Sequence, residues 1–117
     1  MIIFKKFSFE SAHFLPNVPD DHKCKQVHGH TYRLTLFVEG GLDAGLNWVM
    51  DFAELKEVAA PVIKQIDHKL LNDIDGLDNP TCEAIAVWIW DRIKPGIPNL
   101  VKIELNETLT SGVVYKG

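Results

Sequence analysis

Residues 31–39 alternate with a period of two: Tyr32, Leu34, Leu36 and Val38 fall on one side, Thr31, Arg33, Thr35 and Phe37 on the other. Successive side chains of a strand point to opposite faces, so this pattern predicts a strand with one buried face. The rest of the chain must supply the cover. Residues 2–9 alternate more loosely, with Ile3, Phe7 and Phe9 together. Residues 100–107 set Val101, Ile103 and Leu105 against Lys102, Glu104 and Asn106, and residues 112–116 make a short final strand. Between the two strand pairs the period changes. Asp51 followed by Glu54 resembles a capping box, and Leu55, Val58, Ala59, Val62, Ile63 and Ile66 then recur at helical spacing. This predicts a helix kinked at Pro61, where the bond to the residue-57 carbonyl is lost. A second helix starts at Asn79-Pro80-Thr81, carries Ile85, Trp88, Ile89, Arg92 and Ile93 on one stripe, and stops at Lys94-Pro95-Gly96. The order β-β-α-α-β-β predicts an α+β fold, an antiparallel four-stranded sheet with two helices on one face. Such a sheet has two unpaired edges, which favours oligomerisation.

No repeat, linker or low-complexity tract divides residues 1–117, so one domain is expected. Its 12 Lys and Arg against 16 Asp and Glu leave a net charge of −4, the wrong balance for a phosphate backbone and an argument against nucleic acid. No apolar run approaches the ~18 residues of a membrane span. The opening Met1-Ile2-Ile3-Phe4-Lys5-Lys6 lacks the pattern of a secretory signal, so a cytoplasmic location is expected. There both cysteines, Cys24 and Cys82, are free thiols.

The chemistry concentrates in residues 10–29, a stretch without clear periodicity, and unstructured loops that long are usually functional. Of the five histidines, His13, His22 and His28 lie within it and His30 beside it. In an extended His28-Gly29-His30 both imidazoles point to the same face and can share a metal ion. His13, His22 and Cys24 all qualify as a third ligand. Three histidines leave zinc an open, catalytic position; adding Cys24 closes the site and makes it structural. Spacing leaves both readings open. Asp67-His68 is either a carboxylate-supported imidazole or an ordinary helix terminus, and Glu107 is an acid at a strand end. Thr81 is most simply a helix cap, and Cys82 a small packed residue.

Ser11-Ala12-His13, Cys24-Lys25-Gln26-Val27-His28-Gly29-His30, Asp67-His68, Asn79-Pro80-Thr81 and Glu107-Thr108 before a Gly-Val-Val-Tyr strand occur in that order. Together they resemble the 6-pyruvoyltetrahydropterin synthase family over nearly the whole chain. Cys24, four residues before the first histidine of His-Gly-His, resembles the 6-carboxytetrahydropterin synthase branch, since the pyruvoyl branch has a longer insertion there. The resemblance implies a tunnelling fold, in which such subunits assemble into a barrel, as a homohexamer built from two trimers, with sites at subunit interfaces. It implies that His13, His28 and His30 bind zinc and that Cys24 is a catalytic base. Asp67 and His68 would form a proton relay with it across a subunit boundary. Glu107 would anchor a pterin, with Thr81 contacting the same ring. The implied activity is a lyase acting on 7,8-dihydroneopterin triphosphate in 7-deazaguanine (queuosine) synthesis. A net-negative chain needs local cations for that substrate, and Lys5, Lys23, Lys25, Arg33 and Lys69 are the candidates. The alternatives are the pyruvoyl-forming synthase and a non-catalytic oligomer with a structural Cys/His zinc site.

Overall fold

The sheet is built around a hairpin longer than the hydrophobic pattern indicates. In the computed structural model, which describes residues 1–117, strand β1 spans Ile2–His13 and β2 spans His28–Glu39. They pair antiparallel without interruption from Ile2↔Glu39 to His13↔His28. The inward side of β1 turns polar after Phe9, which hides its last turnings from a hydrophobicity argument. Ser11 nevertheless sits buried on that side because its hydroxyl bonds to the Ile66 carbonyl, removing the cost of burying it. What remains of the unpatterned stretch is residues 14–27, which include a 3-10 turn at Lys23–Lys25.

Strands β3 (Leu100–Asn106) and β4 (Gly112–Tyr115) complete an antiparallel sheet of order β1-β2-β3-β4. The β2–β3 register shifts between Phe37 and Val38. Helix α1 (Phe52–Ile66) begins where Asp51 accepts a bond from the Ala53 N–H at 2.9 Å. It runs continuously past Pro61, so the expected kink does not interrupt it; the proline removes one donor but no packing contact of the buried stripe Leu55, Ala59, Val62 and Ile66. Helix α2 (Cys82–Ile93) is capped by Thr81, whose hydroxyl accepts from the Ala84 N–H at 3.2 Å. Both helices cover one side of the sheet, and 22 buried residues form one contiguous core there. The other side carries no helix: Phe4, Lys6, Ser8 and Glu10 of β1 face outward opposite Phe37, Thr35, Arg33 and Thr31 of β2, and of these only Thr35 is buried, beneath its neighbours' side chains. The hairpin makes the molecule elongated, 58 × 24 × 21 Å. No helix is long and apolar enough to cross a membrane.

Candidate active site

The end of the hairpin brings three imidazoles to one place. His13 closes β1 and pairs directly with His28, which opens β2. Gly29 turns the next position outward, so His30 returns to the same inner side. Ring centroids lie 4.6 Å (His13–His28), 5.1 Å (His13–His30) and 4.9 Å (His28–His30) apart, and one nitrogen of each falls within 4.8 Å of the other two. Two of the rings have their tautomer set by a carbonyl, which can only accept. His13 Nδ1–H donates to the Pro80 carbonyl at 2.8 Å and His28 Nδ1–H to the Gln26 carbonyl at 2.7 Å. In both, Nε2 keeps its lone pair, the arrangement in which histidine ligates a metal.

His30 Nε2 is buried, and although Glu107 Oε1 is 3.2 Å away, their orientation makes no hydrogen bond. Burial lowers the pKa of His13 and of His30, reinforced by the neighbouring imidazoles and opposed at both by Glu107. Three imidazole nitrogen donors, one of them a buried orphan, fit a borderline-soft divalent ion such as zinc and leave a fourth position open.

Of the three contenders for third ligand the structure brings in His13. His22 Nδ1 instead accepts from the Cys24 N–H at 3.0 Å and caps the 3-10 turn. Cys24 lies outside the ligand group but lines the adjoining cavity, about 450 Å³, with His28, His30, Glu107 and Lys23. Glu107 stands one residue beyond β3, in a turn held by its own N–H to the Ser111 carbonyl at 3.1 Å. A second cavity on its other side, about 260 Å³, is bounded by Thr81, Cys82 and Glu83. The Thr81 hydroxyl is engaged as the helix cap. Cys82 is buried, its thiol pushed up to about 12 by desolvation and then by Glu107, and it donates weakly to the Leu105 carbonyl at 3.5 Å.

Asp67 and His68 do face each other. Asp67 is the C-cap of α1, and its Oδ1 lies 2.9 Å from His68 Nδ1. His68 adopts φ +56°, a conformation uncommon outside glycine. The Glu10 N–H at 2.9 Å and the His68 contact hold the Asp67 carboxyl below the usual carboxylate range. The His68 ring lines a different cavity from Cys24: about 570 Å³, open, with Glu10, Thr31 and Lys69 in its wall, and with His30 as the one residue the two cavities share. Among the proposed cations, Lys23 reaches the Cys24 cavity and Lys69 the His68 cavity, while Lys5 and Arg33 line neither. Lys25 is committed elsewhere: its Nζ binds the Pro16 and Val18 carbonyls at 2.7 and 3.2 Å and Asp20 at 3.3 Å, and so staples the loop.

Sequence reasoning missed Tyr32, whose hydroxyl lies 3.4 and 3.5 Å from the two nitrogens of His13 in the buried floor of the site. The signal was available, since Tyr32 is the next inward position after His28 and His30. It also missed the Pro80 carbonyl, and Thr108 and Ser111 in the cavity wall.

A family model described as 6-pyruvoyl tetrahydropterin synthase matches residues 2–117. The chain is 43% identical to a Synechocystis sp. protein named 6-carboxy-5,6,7,8-tetrahydropterin synthase, over 97% of this chain and 92% of that one. It is 41% identical to a dihydroneopterin monophosphate aldolase of Pyrococcus furiosus, over 87% and 82% respectively. The fold superimposes on the 6-pyruvoyl tetrahydropterin synthase of Caenorhabditis elegans with a TM-score of 0.92 at 26% identity, covering 100% of this chain and 95% of that chain.

Proposed function

The chain belongs to the 6-pyruvoyl tetrahydropterin synthase family, and from that premise we propose that it is a zinc-dependent lyase. Its substrate is 7,8-dihydroneopterin triphosphate, and with water it yields 6-carboxy-5,6,7,8-tetrahydropterin, acetaldehyde and triphosphate, in the cytoplasmic route to 7-deazaguanine compounds such as queuosine. The observation that supports this most directly is the composition of one cavity: two imidazoles of the ligand group, a thiol outside that group and a carboxylate. The similarity to the Synechocystis protein favours this branch over the pyruvoyl-forming one.

Each group has a physical role. A pterin presents a ring N–H beside an exocyclic amine, and the Glu107 carboxylate accepts both as a bidentate, charge-assisted pair. His13, His28 and His30 hold the metal, which when bound supplies Lewis-acid polarisation of the side-chain oxygens of the substrate. Cys24, in its thiolate form, takes a proton from the polarised carbon chain, and Lys23 in the same wall meets the anionic end of the substrate. The relay partner of Cys24 is the Asp67–His68 pair of a neighbouring subunit, since within one chain that pair opens into another cavity. Asp67 holds Nδ1 and leaves Nε2 free to exchange the proton. The oligomer we infer is a homohexamer, a dimer of trimers whose sheets close into barrels.

Zinc-loaded protein incubated with 7,8-dihydroneopterin triphosphate is expected to release acetaldehyde and a carboxylated tetrahydropterin, identified by mass. A product retaining all three side-chain carbons would assign the pyruvoyl branch instead. Cys24→Ala should keep stoichiometric zinc and lose turnover by at least about 10²-fold; loss of zinc in that variant would restore the structural-site reading.

A further inference from the structure

Glu10 was not among the candidate residues, yet both its main chain and its side chain meet the Asp67–His68 pair. Its main chain does two things: the Glu10 N–H donates to Asp67 Oδ1 at 2.9 Å, and its carbonyl accepts from the His68 N–H. The second bond falls on the residue with φ +56°, so β1 itself holds that conformation in place. The side chain adds a third contact. Glu10 faces outward opposite Thr31 in the β1–β2 register, and the Thr31 hydroxyl donates to Oε1 at 3.1 Å. This aims Oε2 at the other nitrogen of the imidazole, 3.9 Å from His68 Nε2. Within its own chain the ring is 75% exposed, so its subunit leaves the ring's orientation to polar contacts. A contact at Nδ1 alone lets such a ring pivot about that nitrogen; a second carboxylate 3.9 Å from Nε2, beyond hydrogen-bond reach, biases that pivot through its charge.

We propose that Glu10 is a positioning residue for His68: with Thr31 holding it, its carboxylate orients the imidazole from the Nε2 side, at a distance that leaves that nitrogen able to exchange its proton. This rests on the reading of His68 as the relay partner of Cys24, and it adds a residue from the helix-free side of the sheet to that relay. Because the two main-chain bonds form with any residue but proline at position 10, side-chain substitutions isolate the carboxylate from the fold.

Glu10→Gln keeps the shape and removes the charge. Its effect is read first without any turnover, from the ring 15N and Hε1 signals of His68 in labelled oligomer, identified by their absence in His68→Asn. The Nε2 signal is expected to move in Glu10→Gln and, by a smaller amount, in Thr31→Val, with melting temperature and zinc stoichiometry unchanged. In the kinetic arm Glu10→Gln should lower kcat about tenfold with KM unchanged, the cost of a mispositioned group. His68 signals identical in wild type and Glu10→Gln overturn the proposal, and so does a wild-type kcat in that variant. If the wild-type protein does not turn over the pterin triphosphate at all, the relay reading fails by itself, while the ring signals still report whether Glu10 holds His68.

Discussion

Acidification from pH 7.5 to 5.5 is expected to weaken the fold of the zinc-stripped protein through His13 and His30. Their pKa values lie below 6.5 in the folded chain, first because of burial and then because of the neighbouring imidazoles. In the unfolded chain each returns to about 6.5, so the unfolded state binds more protons and stability drops as the pH drops. The contribution is fully present above pH 6.5 and is lost as the pH falls toward the folded values. One unit below the unfolded pKa, an imidazole that stays neutral in the fold loses about 1.4 kcal/mol. The His13 residue is 1% exposed and the His30 side chain 17%; residual solvent and the attraction of Glu107 keep the loss from the pair below twice that limiting figure, a ceiling of about 3 kcal/mol. For a chain of this length the ceiling is about 12 °C in Tm. Urea unfolding in chelator at fixed protein concentration measures it, with His13→Gln/His30→Gln as the control that flattens the slope. Asp67 does not contribute in this window: its pKa is depressed below the carboxylate range, so its loss begins only below about pH 4. A midpoint that holds or rises on acidification, or an equal slope in the double variant, refutes the claim that the site keeps its imidazoles neutral.

Two further expectations concern placement. A Cβ at Gly112 would lie 2.8 Å from the Asn106 Cα and meet the Leu105 carbonyl, main-chain atoms that cannot swing aside, so Gly112→Ala should cost about 2 kcal/mol and weaken pterin binding by shifting the turn that carries Glu107; a wild-type urea midpoint would count against this. Mixing inactive Cys24→Ala subunits with inactive His68→Asn subunits should restore up to about a quarter of wild-type turnover if each site draws on two subunits of a symmetric oligomer, whereas mixtures that stay inactive place both residues on one chain.

The alternation of residues 31–39 and the caps at Asp51 and Thr81 were legible because each rests on local periodicity or one side chain acting within a turn. What stayed hidden depends on pairs far apart in sequence. The last residues of β1 carry no apolar signal, since Ser11 is satisfied by Ile66, and without the register His13↔His28 no spacing rule separates His13 from His22 or Cys24 as a ligand. Glu10 could not be found at all from local pattern: its partners are Thr31, Asp67 and His68, two of them on the far side of α1. The helix expected to kink at Pro61 runs through it unbroken, because the stripe of α1 buried against the sheet outweighs the cost of one proline.

That same register sets which of the proposed groups share a face of the hairpin. Inward positions of the hairpin are Ser11 and His13 on β1 and His28, His30 and Tyr32 on β2; outward positions are Glu10 on β1 and Thr31 on β2. A slip of one residue would exchange the two sets, turning the ligands out and the carboxylate in. The chain pins the register at the site end by contacts outside the sheet: Ala12 N–H to the Lys69 carbonyl at 2.9 Å, and Phe14 bonded in both directions to the side chain of Asn72 at 3.0 and 2.8 Å. These tie β1 to the segment that follows α1, the segment carrying Asp67 and His68. The placement of the three imidazoles and of the Asp67–His68 pair therefore rests on one register, and a change at Asn72 that frees this segment loosens both at once.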